Sequence, residues 1–203
     1  MSNEFLGSGD YAVASLQANA QSTSNIMSDG YYHFVCRDKD GNVKWEDGFE
    51  NQVVQVGKIL AMNTLLYTAS GYTLVGPYLG LINTSTGYSA TDTMSSHTDW
   101  TEFTAYTVGA SAVRGTAVFT TATGNNVTTS GGNVVSSAAN AITYTITGTG
   151  GTVTGCFLVL GSGATNTIGG TTGTLWSAGG FAVAKVTTAG DTVTVTYTTT
   201  ATS

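Results

Sequence analysis

His33 and His97 are the only histidines in the sequence, so acid–base chemistry near neutral pH, or metal binding through imidazole, has to use one of them. His33 lies in the apolar run His33-Phe34-Val35-Cys36, where a packed ring is the expectation. His97 lies in Ser95-Ser96-His97-Thr98-Asp99, which holds the residue types of a nucleophilic triad within a few positions. A triad depends on convergence in space from separate elements, and adjacent residues of one loop rarely achieve it. A hydrogen-bonded loop histidine is therefore expected. The acidic residues suggest two further chemistries. Asp38-Lys39-Asp40-Gly41-Asn42 resembles the start of a calcium loop but lacks the closing glutamate, so a solvated turn is expected. Glu46, Asp47 and Glu50 are close in sequence, but a glycosidase pair must face across a cleft, and an acidic rim is the simpler reading.

The glycine-rich stretches Gly161-Ser162-Gly163 and Gly169-Gly170-Thr171-Thr172-Gly173 have neither the lysine nor the following helix of a phosphate loop, and read as turns. Trp45, Trp100 and Trp176 could form a sugar platform, but tryptophans so far apart in sequence more often anchor a core or an interface. Phe181 is a fourth anchor. Cys36 and Cys156 lie in separate apolar runs and read as buried thiols, with a disulfide between them the alternative that the sequence leaves open and with no metal-ligand spacing around them. These residues point to no catalytic set, no cofactor and no metal, and the expectation is a protein that is not an enzyme.

The elements that must position these residues are written in the composition. Charged residues make up 9% of a 203-residue chain, where about a quarter is usual. Such a surface either is covered by partners or relies on Thr, Ser and Asn for hydration. The net charge of −6 leaves Arg37, Lys39, Lys44, Lys58, Arg114 and Lys185 as scattered cations, which argues against direct nucleic-acid binding. No apolar run approaches the roughly 18 residues of a membrane span. The N-terminus lacks the pattern of a secretory leader, so synthesis in the cytoplasm is expected.

Residues 1–30 carry Phe5, Leu6, Tyr11, Val13, Leu16, Ile26 and Met27 spaced through Ser, Asn, Ala and Gln. That pattern is too thin to close a core and is expected to form an extended arm, with those seven residues as candidate interface positions. Residues 31–203 are expected to form a single domain. It opens with a hairpin over 31–50, turned at Asp40-Gly41, followed by an amphipathic helix over about 52–67 ending near Ser70-Gly71. Val53, Val56, Leu60 and Leu66 form its stripe, widened by Ile59 and Met62. Past Pro77 comes a short strand YLGLIN, then a long surface loop to Trp100, then strands separated by Gly- and Asn-rich turns. In the last, Val193, Val195 and Tyr197 alternate with Thr194, Thr196 and Thr198, as a half-buried strand requires. Phe157–Leu160 is apolar on both faces and should be central or covered. The fold expected is mostly β: an antiparallel sandwich, jelly-roll or Ig-like, with one helix and an N-terminal arm.

Two stretches, residues 78–103 and 169–198, resemble a group of small tailed-bacteriophage virion proteins. The matching positions are Tyr78–Ile82, Asp92–Met94, His97, Trp100 and Glu102 in the first, and Gly173–Ala178, Phe181 and Gly190–Tyr197 in the second. Arg114 corresponds to an arginine that the family tends to carry, though Gly115 follows it here instead of Pro. The resemblance implies a virion structural protein, foremost a capsid cement or decoration protein on the capsid surface, with the major capsid protein or copies of itself as partners. A tail tube or tail fibre location is the alternative, and a carbohydrate-binding module a second. It names no active site.

Overall fold

The computed structural model of the chain describes residues 29–66, 75–118, 128–129, 133–134 and 141–202. Strands β1 (Asp29–Arg37) and β2 (Val43–Val53) form the first hairpin. Its turn is held by the Asp38 carboxylate, which accepts the N–H groups of Asp40 and Asn42 at 2.9 Å, while Gly41 takes the left-handed φ of 89°. Alternation then decides the faces. Tyr32, Phe34 and Cys36 are fully buried, and Tyr31, His33, Val35 and Arg37 point outward.

Helix α1 (Gln55–Leu66) follows directly. The remaining strands are β3 (Tyr78–Ser85), β4 (Trp100–Glu102), β5 (Tyr106–Val108), β6 (Gly115–Thr116), β7 (Thr128–Thr129), β8 (Asn133–Val134), β9 (Ile142–Ile146), β10 (Gly151–Leu160), β11 (Thr174–Thr187) and β12 (Thr192–Thr202). Pairing is antiparallel throughout, in the order β4-β3-β10-β11-β2-β1-β12-β9-β5, with β6 beside β3 and with β7 and β8 beside β12.

Where the sequence suggested two stacked sheets, the hydrogen bonds run as one path, and chain connectivity forces that path to curl. Laid flat, the nine strands from β4 to β5 would set its two margins about 38 Å apart, at ~4.8 Å per spacing. Yet Glu102 and Tyr106 are linked only through residues 103–105, a reach of at most about 15 Å. The sheet closes into a half-barrel. Three bonds fix its margins: Phe103 N to Leu81 O at 2.8 Å, Thr147 N to Ala105 O at 2.9 Å, and Tyr144 Oη to Leu79 O at 2.8 Å. β2 and β11 form ladder pairs only at Val53–Ser177 and Gln52–Ala178, which leaves a seam that Phe34, Trp45, Phe49 and Phe181 fill with ring contacts.

Two cores result. Inside the curl, Tyr32, Phe34, Leu79, Leu81, Tyr144, Cys156, Leu158, Val193, Val195 and Tyr197 pack together. On the outside of β3, β10 and β11, Ile82, Phe157, Val159, Leu175 and Ala178 form a second core under Val54, Met94 and Trp100. Strand β10 therefore buries both faces, with Cys156 and Leu158 inward and Phe157 and Val159 outward. Both cysteines are buried free thiols.

The helix docks through smaller residues than its apolar pattern suggests. Leu60 and Ala61 are buried, and a Cβ on Gly57 would stand 2.6 Å from Trp176 O, so only glycine lets α1 settle on β11. Ile59 and Met62, read as widening the buried stripe, are 51% and 42% exposed, and Val53 belongs to β2 instead. The proposed helix end at Ser70-Gly71 lies outside the described residues.

Candidate functional site

The loop from Thr86 to Asp99 is no loose surface segment. It buries Met94, and Asp92 sits beneath it at 6% exposure. Trp100 Nε1 donates to Asp92 Oδ2 at 3.0 Å, and Ser89 N donates to the same oxygen at 3.1 Å. His97 stacks on Trp100 with centroids 3.7 Å apart, its Nδ1 lying 3.0 Å from Trp100 O. The imidazole thus lids the indole. Ser95 and Ser96 face solvent, Asp99 is exposed, and the carboxylate that matters locally is Asp92. The residue types of a triad are present without its convergence.

His33 Nε2 lies 2.9 Å from Glu46 Oε1 on the outer face, and Asp47 pairs with Lys185. Glu50 is exposed. Glu46 and Asp47 therefore serve different neighbours, and the three do not form a facing pair across a cleft. The Asp38 carboxylate is taken up by its own turn, and the Asn42 side chain and backbone N–H hold its pKa below the usual carboxylate range. Among the described residues, no cluster of three or more His, Cys, Asp or Glu could hold a metal ion.

The densest polar arrangement is structural. Arg114 and Glu102 form a two-pronged ion pair, Nε to Oε1 and Nη2 to Oε2, both at 2.8 Å, with side chains 1% and 9% exposed. The same guanidinium donates to Thr165 O at 3.1 Å and Gly170 O at 2.7 Å, and lies 5.0 Å from the centre of the Phe157 ring. Glu102 also accepts from Gly169 N at 2.7 Å. One buried pair thus ties β4, the approach to β6 and the 165–170 loop together.

Among the described residues, two surfaces stand out. On the outside of β5, β9 and β12, threonines stand in register: Thr107 opposite Thr145, Thr145 opposite Thr192, and Thr143 opposite Thr194 with oxygens 3.3 Å apart. Thr196 and Thr198 continue the row beside His33 and Tyr31 of β1. The second surface is on β11. Val153 pairs with Lys185 and Gly155 with Gly180, so Thr154 alone faces the four residues Phe181–Ala184, and β11 bulges outward there. The bulge exposes Val183 at 71%, and Val186 just beyond stands at 64%. Trp45 Nε1 donates to Val186 O at 3.2 Å, and Lys185–Asp47 and Lys44–Asp191 flank the ridge.

Of the four anchors, Trp100 is 1% exposed, while Trp45, Trp176 and Phe181 are half-buried. Trp45 lies at the seam, Trp176 packs against the inner core and Trp100 sits in the loop core, so the three do not share one platform. The candidate interface residues Phe5, Leu6, Tyr11, Val13, Leu16, Ile26 and Met27 lie outside the described residues. Sequence reading missed the β11 bulge, the Asp92–Trp100 bond and the Arg114–Glu102 pair. Only the bulge had a local signal, in that Phe181-Ala182-Val183-Ala184 breaks the polar–apolar alternation of a paired strand.

Comparison with protein-family models, with curated proteins and with solved structures finds no match.

Proposed function

We propose that this protein is a non-enzymatic virion structural component of a tailed phage, foremost a cement protein that stabilises the capsid from its outer surface. The observation that carries this reading is the pair of uncovered faces: an in-register threonine field and an apolar ridge, on a chain with 9% charged residues. A hydroxylated, nearly uncharged face tolerates a wet interface, and an apolar ridge with two exposed valines gives that interface a dry centre. The partners proposed are the major capsid protein and copies of this chain. The half-barrel would act as the rigid body of a jelly-roll or Ig-like sandwich, its two halves facing across the inner core. The residues before β1 would act as an arm that adds buried area on a neighbour without enlarging that core.

The test compares particles assembled with and without the protein. Cement function requires that particles lacking it lose their contents at lower temperature. Val183→Asp/Val186→Asp should cut incorporation at least several-fold while the isolated protein unfolds as before. Equal heat resistance of both particle types would refute the stabilising role. A copy number of a few per particle would favour the tail tube or tail fibre alternative.

A further inference from the structure

Between Gly180 and Lys185 strand β11 leaves the sheet. Gly155 pairs with Gly180 and Val153 with Lys185, and toward β2 the last ladder pair is Gln52–Ala178, so among the described residues Phe181–Ala184 has no ladder partner on either side. Phe181 turns back into the molecule, where it meets the rings of Phe34, Trp45 and Phe49. Ala182, Val183 and Ala184 are exposed, Val183 at 71%. A strand segment outside its ladder is a template for another extended chain, and proteins that avoid such pairing place charge or proline on it. β11 carries little of either: Lys185 is the one charged residue from Gly179 to Thr187, and no proline is present there.

Two features say which chain fits. The first is local charge. The whole chain carries −6, yet the cations beside the ridge are each matched by one carboxylate, Lys185 by Asp47 and Lys44 by Asp191. Two copies brought together through this ridge therefore meet without net repulsion there. The second is register. When two β11 segments run antiparallel about a twofold axis at Val183, Ala182 falls opposite Ala184 and Phe181 opposite Lys185, and no residue faces a like charge. The alanines on either side of Val183 leave its side chain room to meet its twin. An isologous contact needs a patch that is complementary to itself, and the segment meets that condition in both charge and size.

We infer that two copies of this chain pair through β11, antiparallel across a twofold axis at Val183, with Ala182, Ala184 and Val186 around it. Strand addition supplies main-chain hydrogen bonds to residues that stand outside the protomer's own ladders, and the valines give the contact a dry centre. The contact is small, so it depends on concentration, with a dissociation constant of about 0.1 mM. It concerns the free protein and goes beyond the virion role, since a cement protein that binds the capsid as a monomer stabilises particles in the same way.

The full chain is followed by static light scattering from about 1 μM to about 1 mM, a range that spans this affinity. The parent should pass from monomer to dimer. Val183→Asp and Val183→Lys, both at an exposed position, should each weaken dimerisation at least about tenfold with thermal melts unchanged, because the twofold sets each new charge against its own copy. An equimolar mixture of the two variants should dimerise again, since Asp then faces Lys. The inference is overturned if the parent is monomeric at about 1 mM, if either variant dimerises as tightly as the parent, or if the mixture stays monomeric.

Discussion

Replacing Arg114 by methionine should destabilise the protein by about 3–5 kcal/mol, the usual consequence of removing one partner from a buried ion pair. The expectation rests on what the guanidinium leaves behind. Arg114 makes four hydrogen bonds, two to Glu102 and one each to Thr165 O and Gly170 O. Methionine fills much of the volume and keeps the contact with Phe157, so the loss is electrostatic and not a cavity. It strands a carboxylate that is only 9% exposed, with one remaining donor at Gly169 N. For a domain of this size each kcal/mol moves the midpoint by ~2–4 °C, which gives a fall of roughly 6–20 °C. Adding Glu102→Leu to Arg114→Met removes the stranded charge and should recover a large part of the loss, since apolar replacements of buried pairs are often neutral. The assay is urea unfolding of the parent, both single variants and the double variant, read as a double-mutant cycle. A loss under about 1 kcal/mol in Arg114→Met, or losses that simply add in the double variant, would refute the claim that the pair acts as one buried unit.

Stability should form a plateau near neutral pH with two declining flanks. On the acid side, burial opposes ionisation of Asp191, but Lys44 and Thr188 N–H outweigh it and hold its pKa low, as Lys185 does for Asp47. Their contribution is present above the unfolded carboxylate pKa of about 4 and disappears as pH falls below it through the lower folded values. On the alkaline side, burial and then the nearby Asp191 push Cys36 up to about 11, and burial raises Tyr32 and Tyr144 well above their ordinary range. The unfolded chain gives up these protons first, so stability falls as pH rises past about 8.5 and then 10; thermal melts at a series of pH values that stayed flat to pH 11 would contradict this. Gly57→Ala should destabilise by about 1–3 kcal/mol although alanine favours a helix by ~1 kcal/mol, because its methyl meets Trp176 O; a more stable variant in the same urea assay would show that α1 has room to move. Cys36 and Cys156 should resist a thiol reagent in the native protein and react within minutes in denaturant, and fast labelling of either in buffer would mean the inner core opens.

Local rules acting over a few residues were readable from the sequence. The turn at Asp38–Asn42, the alternation Val193-Thr194-Val195-Thr196-Tyr197, and the double-sided burial of Phe157–Val159 each follow from residue type and a period of two. So did the mostly β class with a single helix, because Gly- and Asn-rich turns punctuate the strand patterns. The candidate sites were legible only as residue types. His97 and Asp99 sit close in sequence, yet stacking on Trp100 turned the histidine into a lid, and the local carboxylate, Asp92, accepts from the indole instead. Tertiary structure alone decided three things. The curl came from the short link between β4 and β5, which limits how far apart two sheet margins may lie. The pairing of Arg114 with Glu102 placed opposite charges where desolvation makes each dependent on the other. The bulge of β11 arose from a register slip in which Thr154 faces four residues, and register is a property of two strands together. One strand's sequence specifies which side chains alternate, but the position of its neighbour determines what those side chains meet.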